Sequence, residues 1–145
     1  MTSKSIVNNQ ATKRKIYVGC SLAVAPKEFK DSIIALKKLL RHKYEVLEFK
    51  GQIAGSNEDV YRWDIEHCVA NCDVFVAVCD YPSLGLGWEL NEAIRLDKRV
   101  LGVAHTDSVV SRLVLGAAEV KPNFMFERYE DLLENVPLLL DKNFI

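Results

Sequence analysis

Several things are scarce in this 145-residue chain. No apolar run approaches the roughly 18 residues that a membrane span needs. Charge of one sign is not in excess: Lys and Arg number 19, Asp and Glu 20, and the formal net charge is −1. That excludes the broad positive footprint of a strongly basic nucleic-acid binder and leaves room for a small local anion site. Met1 to Arg14 is polar and lacks the apolar stretch of a secretory leader, so none is expected. The four cysteines, Cys20, Cys68, Cys72 and Cys79, form no CxxC pair, and only three histidines accompany them. Zinc-ligand spacing is absent. Free buried thiols in a reducing, cytoplasmic compartment are the expectation. The four prolines and seven glycines build no linker, and no repeat or low-complexity block divides the chain. One domain over 15–145 behind a flexible tail, 1–14, is expected.

What is present is an ordinary globular composition, 49% hydrophobic and 27% charged. A chain of this length buries roughly 70% of the surface exposed by its unfolded form. Apolar runs alternate with helical patterns. Ile16 to Cys20 reads as a strand. Phe29, Ile33, Leu36 and Leu40 recur at helical spacing and predict a helix over about 26–42. Tyr44 to Phe49 reads as a second strand and 51–57 as a polar loop. A helix follows over about 58–71, then the wholly apolar strand Val74 to Val78. A turn-rich stretch from Asp80 to Gly87 feeds a helix carrying Leu90, Ala93 and Ile94. Strands near 100–104 and 123–126 and helices near 107–118 and 129–141 complete the chain. This alternation predicts a three-layer, doubly wound α/β fold, Rossmann- or flavodoxin-like, with a five-stranded parallel sheet. Ligands of such folds bind beyond the carboxyl ends of the strands. The loops after the first and third strands, 21–25 and 80–87, are therefore the expected site.

The most informative window is Val76 to Ile94, VAVCDYPSLGLGWELNEAI. It sets Gly85 and Gly87 between a buried strand and a helix, where glycine permits close backbone approach and the helix N-terminus suits an anion. The GxG spacing alone is unspecific: there is no GxGxxG and no Walker lysine. Glu89, read as lying in the first helical turn, suits either the helix dipole or a nucleophile's role.

The stretch Pro82-Ser83-Leu84-Gly85-Leu86-Gly87-Trp88-Glu89-Leu90 resembles the signature of the nucleoside 2-deoxyribosyltransferase superfamily, and most closely its 2'-deoxynucleoside 5'-phosphate N-hydrolase branch. Ile16 to Leu22, the Asp64-bearing helix that ends in Asn71-Cys72-Asp73, and Val109 to Ala117 resemble further family segments in the same order. The resemblance implies N-glycosidic cleavage of a (2'-deoxy)nucleoside 5'-monophosphate through a glycosyl ester on Glu89, resolved by water. It implies that Tyr17 orients Glu89 and that Asp64 contacts the sugar or assists base departure. Without it, Tyr17 reads as a core strand residue and Asp64 as a helix cap. It implies phosphate contacts from Ser21, Ser83 and Ser111, with Ser111 supplied by the neighbouring subunit of a homodimer. Each serine alone reads as a turn or cap residue.

Two departures stand out. Asp64 and Glu89 are 25 residues apart where the family pattern implies 24, which places one extra residue in the intervening helix or at its end. The arginine of the family's first loop falls on Ala23, leaving Lys27 or Arg112 as the available cations. Asp80 suits either a base or ribose contact or a turn, and Trp88 and Trp63 either base stacking or packing. Neither a metal nor an organic cofactor is suggested. The partner expected is a small nucleoside or nucleotide, not a polynucleotide or a membrane. The alternatives are a deoxyribosyltransferase that passes the sugar to another base and a non-catalytic nucleotide-sensing module. A flavin binder has topology in its favour and no residue.

Overall fold

The computed structural model describes residues 12–49 and 55–144. The polar segment up to residue 11, and most of the loop expected over 51–57, lie outside the described residues. Two residues assigned to the tail are anchored to the domain: Lys13 Nζ donates to the Arg41 carbonyl at 2.9 Å and the Arg14 guanidinium to the Phe144 carbonyl at 2.6 Å.

The strands are β1 (Lys15–Cys20), β2 (Glu45–Leu47), β3 (Val74–Val78), β4 (Arg99–His105) and β5 (Phe124–Tyr129). All pair in parallel, in the order β2-β1-β3-β4-β5. This is the expected doubly wound sheet, with its switch point between β1 and β3. β3 is buried at every residue because it lies centrally with both faces covered. β2 stops at Leu47, two residues short of the expected end, and pairs β1 only from Lys15 to Tyr17.

The helices are α1 (Lys27–Leu40), α2 (Asn57–Tyr61), α3 (Leu84–Arg95), α4 (Arg112–Val120) and α5 (Leu132–Asn143). Apolar faces of α1 and α5 cover one side of the sheet, around Ile16, Val18, Val76 and Leu101. The other side, around Tyr17, Phe75 and Ala77, carries α3 and the helical segment after α2, with α4 packed at its margin. Successive strand residues point to opposite faces, so Ile16 and Val18 serve one layer and Tyr17 the other.

Three helices differ from expectation: α4 starts at Arg112, five residues later than the expected 107, where Ser111 caps it, and two others bear on the site. α3 begins at Leu84, not after Gly87, because Ser83 caps it: its Oγ accepts from Leu86 N at 3.1 Å. Gly85 and Gly87 therefore lie in its first turn, and Glu89 in its second. Glu89 is thus beyond the reach of a simple dipole-complementing role. α2 continues without a break as a π-helix, Arg62–Val69, which closes with Ala70 N donating to Ile65 O at 2.9 Å. A π turn holds one more residue than an α turn for the same path. The extra residue between Asp64 and Glu89 is matched by this segment.

Candidate active site

The site is built where β1 and α3 meet. Tyr17 and Gly19 share one face of β1, two residues apart. α3 lays Glu89 over them, and the Tyr17 hydroxyl donates to Glu89 Oε2 at 2.6 Å. Gly19 makes room for this. A Cβ there would stand 3.0 Å from Leu86 Cδ1, 3.1 Å from Glu89 Oε1 and 3.1 Å from Phe75. The crowded glycine of the site is thus in the first strand. A Cβ at Gly87 would meet nothing within 4 Å, and one at Gly85 only Ser83 Oγ at 3.9 Å.

Burial, first of all, pushes the Glu89 carboxyl up to about 7. The Tyr17 hydrogen bond pulls it down, the negative field of Asp64 pushes it up, and the positive charge of Lys37 pulls it down. Burial and the neighbouring Glu89 push the Tyr17 phenol far above its ordinary range, so it remains a donor. With Oε2 held by Tyr17, Oε1 over Gly19 is the oxygen available to attack.

Above this pair opens a cleft of about 370 Å³ whose walls include Leu22, Phe49, Asn57, Tyr61, Asp64 and Trp88. Asp64 sits inside the π-helix, not at a helix start. The cap of that helical stretch is Ser56, in a reciprocal box with Asp59, after a turn that Gly55 makes at φ +87°. Asp64, Tyr17 and Glu89 thus converge on one cleft, together with Ser83 and Gly85.

Of the other candidates, Trp88 lines the cleft and Ser21, Ser111, Gly87 and Asp80 do not. Ser21 follows β1, is buried, and its Oγ has no hydrogen-bond partner among the described residues. Ser111 caps α4, accepting from Leu113 N at 3.2 Å, and lies with Gly87 along an adjoining groove. Asp80 does not line the cleft. Its Oδ2 accepts from Tyr129 OH at 2.7 Å, His105 N at 3.2 Å and Ser108 Oγ at 3.3 Å, so it ties the ends of β3, β4 and β5 together. Its Oδ1, like Ser21 Oγ, is buried with no hydrogen-bond partner among the described residues. Trp63 stacks on His67 and donates to the Glu48 carbonyl at 2.7 Å, which is packing, whereas Trp88 faces the cleft. Lys27 is spent on Asp31 in solvent, at 2.7 Å. Phe49, Asn57 and Tyr61 escaped the sequence reading because each sits on a loop or helix start with no diagnostic spacing. Gly19 carried a legible signal, its alternation with Tyr17. Among the described residues no group of three or more His, Cys, Asp or Glu is placed to hold a metal ion.

No family model matches the chain. Curated proteins do. A 5-hydroxymethyl-dUMP N-hydrolase of Branchiostoma floridae is 32% identical over 93 residues, covering 59% of this chain and 87% of the relative. The chain belongs to this N-hydrolase family. N-hydrolases of the same name from Danio rerio and Homo sapiens are 34% and 35% identical over 96 and 95 residues. Those matches cover 64% of this chain in each case, and 66% and 52% of the relatives, so the chain spans half to two thirds of their length. Among solved structures, a CMP N-glycosidase of Clostridium botulinum superposes with TM-score 0.69 at 20% identity, over 88% of this chain and all of the other. A 2-deoxyribosyltransferase of Leishmania mexicana gives 0.64 at 15% identity, over 91% and 99%. The chain thus shares the fold of these two proteins along most of its length.

Proposed function

We propose that this chain cleaves the N-glycosidic bond of (2'-deoxy)nucleoside 5'-monophosphates. The observation that carries the reading is the 2.6 Å Tyr17–Glu89 pair on the floor of the cleft. Glu89 Oε1 attacks C1', the bond from C1' to the base nitrogen breaks, and the base leaves with the electron pair and takes up a proton. Water then attacks C1' of the sugar ester, returning the carboxylate and releasing the sugar 5-phosphate and a proton. Asp64, across the cleft, is the group for the sugar hydroxyl or the departing base. Tyr61, Phe49 and Trp88 offer aromatic walls for a base. The relatives' names support a nucleotide substrate.

Ser83 and Ser21 are the phosphate contacts we assign from this protomer, the latter because its buried hydroxyl lacks a partner. Ser111 is assigned across a homodimer interface. Its support is an apolar groove of about 1210 Å³ along α3 and α4, rimmed by Leu84, Val109 and Leu113, which are 96%, 93% and 83% exposed. A contiguous exposed apolar surface of this kind suits a second copy of the chain. No helix among the described residues is long and apolar enough to cross a membrane. The four free thiols support a reducing, cytoplasmic setting.

Transfer of the sugar to a second base is the other reading, favoured by Ala23 where the family's loop arginine is expected. One assay separates them. The chain is incubated with each deoxynucleoside and its 5'-monophosphate, with and without a free base, beside Glu89→Ala. Base release from the monophosphates, indifferent to acceptor and absent in the variant, is expected. A new nucleoside formed only with acceptor makes it a transferase. Binding without release makes it a sensing module.

A further inference from the structure

Lys37 is an ammonium that neither the sequence motifs nor the reaction uses. Its side chain is only 7% exposed. Burying a lysine is costly, and a methionine of similar length would fill the same space without that cost. Its contacts are specific. Nζ donates to Glu48 Oε1 at 3.0 Å and stands 4.4 Å from the centre of the Phe49 ring. Glu48 is also held by the Arg41 guanidinium, and its carbonyl accepts from Trp63 Nε1 and, at 3.2 Å, from Cys68 Sγ.

The sheet explains the path. Lys37 belongs to α1, on the Ile16 and Val18 side, whereas Phe49 packs on the Tyr17 and Phe75 side and walls the cleft. β2 pairs β1 only as far as Tyr17, so Val18, Gly19 and Cys20 have β3 on one flank and no strand on the other. Lys37 crosses the layers at that open flank. Its charge is felt by both Cys20, on the flank, and Glu89, beyond it.

We propose that Lys37, reaching past the early end of β2, is a positioning residue that holds Phe49 as a wall of the cleft and, through that contact, keeps a positive charge at the edge of the cavity that Glu89 lines. The proposal rests on Glu89 being the nucleophile. The groups that bear on Glu89 are Tyr17 and Cys20 from β1, Asp64 and Cys68 from the π-helix, and Lys37 from α1. Lys37 is the cation among them and offsets Asp64. Glu48 shares that cation, so the Lys37–Glu48 pair sets how much positive charge reaches the nucleophile.

The test uses the full chain and four forms: wild type, Lys37→Met, Lys37→Arg and Glu48→Gln. Glu89 is followed by carboxyl ¹³C NMR titration, assigned with Glu89→Gln. Lys37→Met is expected to raise the Glu89 midpoint by on the order of one pH unit. Lys37→Arg is expected to restore it, and Glu48→Gln to move it downward. A merely structural role predicts no such opposition of sign. In base release, the acid limb of kcat/KM follows the same order, and KM rises in Lys37→Met as Phe49 is freed. A folded Lys37→Met with an unmoved midpoint overturns the proposal. If that variant does not fold, an unmoved midpoint in Glu48→Gln overturns it. Should wild type release no base from any nucleotide, the hydrolase reading falls, while the titration still decides the role of Lys37.

Discussion

A carboxyl pushed up to about 7 holds its proton more readily in the folded chain than in the unfolded one, where it titrates near 4.5. The stabilisation from protonated Glu89 is therefore full below about pH 4.5 and lost as pH rises through about 7. At pH 8 the ionised side chain costs the fold roughly 2–3 kcal/mol. Glu89→Gln is expected to raise the unfolding temperature at pH 8 by several degrees, measured by calorimetry, with little gain at pH 4. The same variant is expected to lose base release by roughly 10³-fold or more, because an uncharged amide cannot replace a carboxylate as nucleophile. Tyr17→Phe keeps the ring packed on Phe75 but removes the donor that favours the ionised form. Its acid limb is expected to move to higher pH, so that the loss in kcat/KM is about tenfold or more near pH 6 and shrinks toward pH 9. A loss equal at every pH would reduce Tyr17 to packing. That Tyr17, Asp64 and Glu89 would share one cleft was legible through the family resemblance, since residue type alone left Tyr17 a core residue and Asp64 a cap. Lys37 was not legible. Its helix spacing speaks of α1 alone, and its use depends on where an unrelated strand stops.

The elements themselves were legible from hydrophobic period, and their ends less so. β2 was read two residues too long because Glu48 and Phe49 continue its alternation, yet they leave the sheet for contacts with Lys37 and Trp63. α3 was read as starting late because two glycines weigh against helix, whereas the Ser83 cap outweighs them. The resemblance implies a spacing of 24 where this chain has 25, and the π-helix Arg62–Val69 overlaps that interval. Deleting the exposed Glu66 from that segment returns the spacing to 24 and is expected to leave base release within about tenfold of wild type. Inserting an alanine after Glu66 adds a residue the helix has no second means to absorb. It turns Asp64 by about 100° and is expected to cut kcat/KM well over tenfold, with the far-ultraviolet circular dichroism unchanged. Equal damage from both changes would show that Asp64 is not held in register by the π turn.

At the scale of the whole molecule, the apolar groove along α3 and α4 is a surface that no other element of the described residues covers. Leu113→Asp, placed on its rim, is expected to give a monomer by light scattering at concentrations where wild type is a dimer. The thermal midpoint of each chain's own fold should change little, since Leu113 is 83% exposed. A wild type that is itself monomeric at high concentration would remove the interface and, with it, the role of Ser111. The groove and the cleft are not independent cavities, for Tyr61, Ser83, Leu86 and Trp88 line both. A molecule that presses those four side chains from one side meets them already arranged by whatever sits on the other. The two equilibria then share one coupling free energy, and coupling of that kind is reciprocal. If two chains pair as proposed, whatever factor by which nucleotide shifts that pairing is also the factor by which pairing shifts the grip on nucleotide.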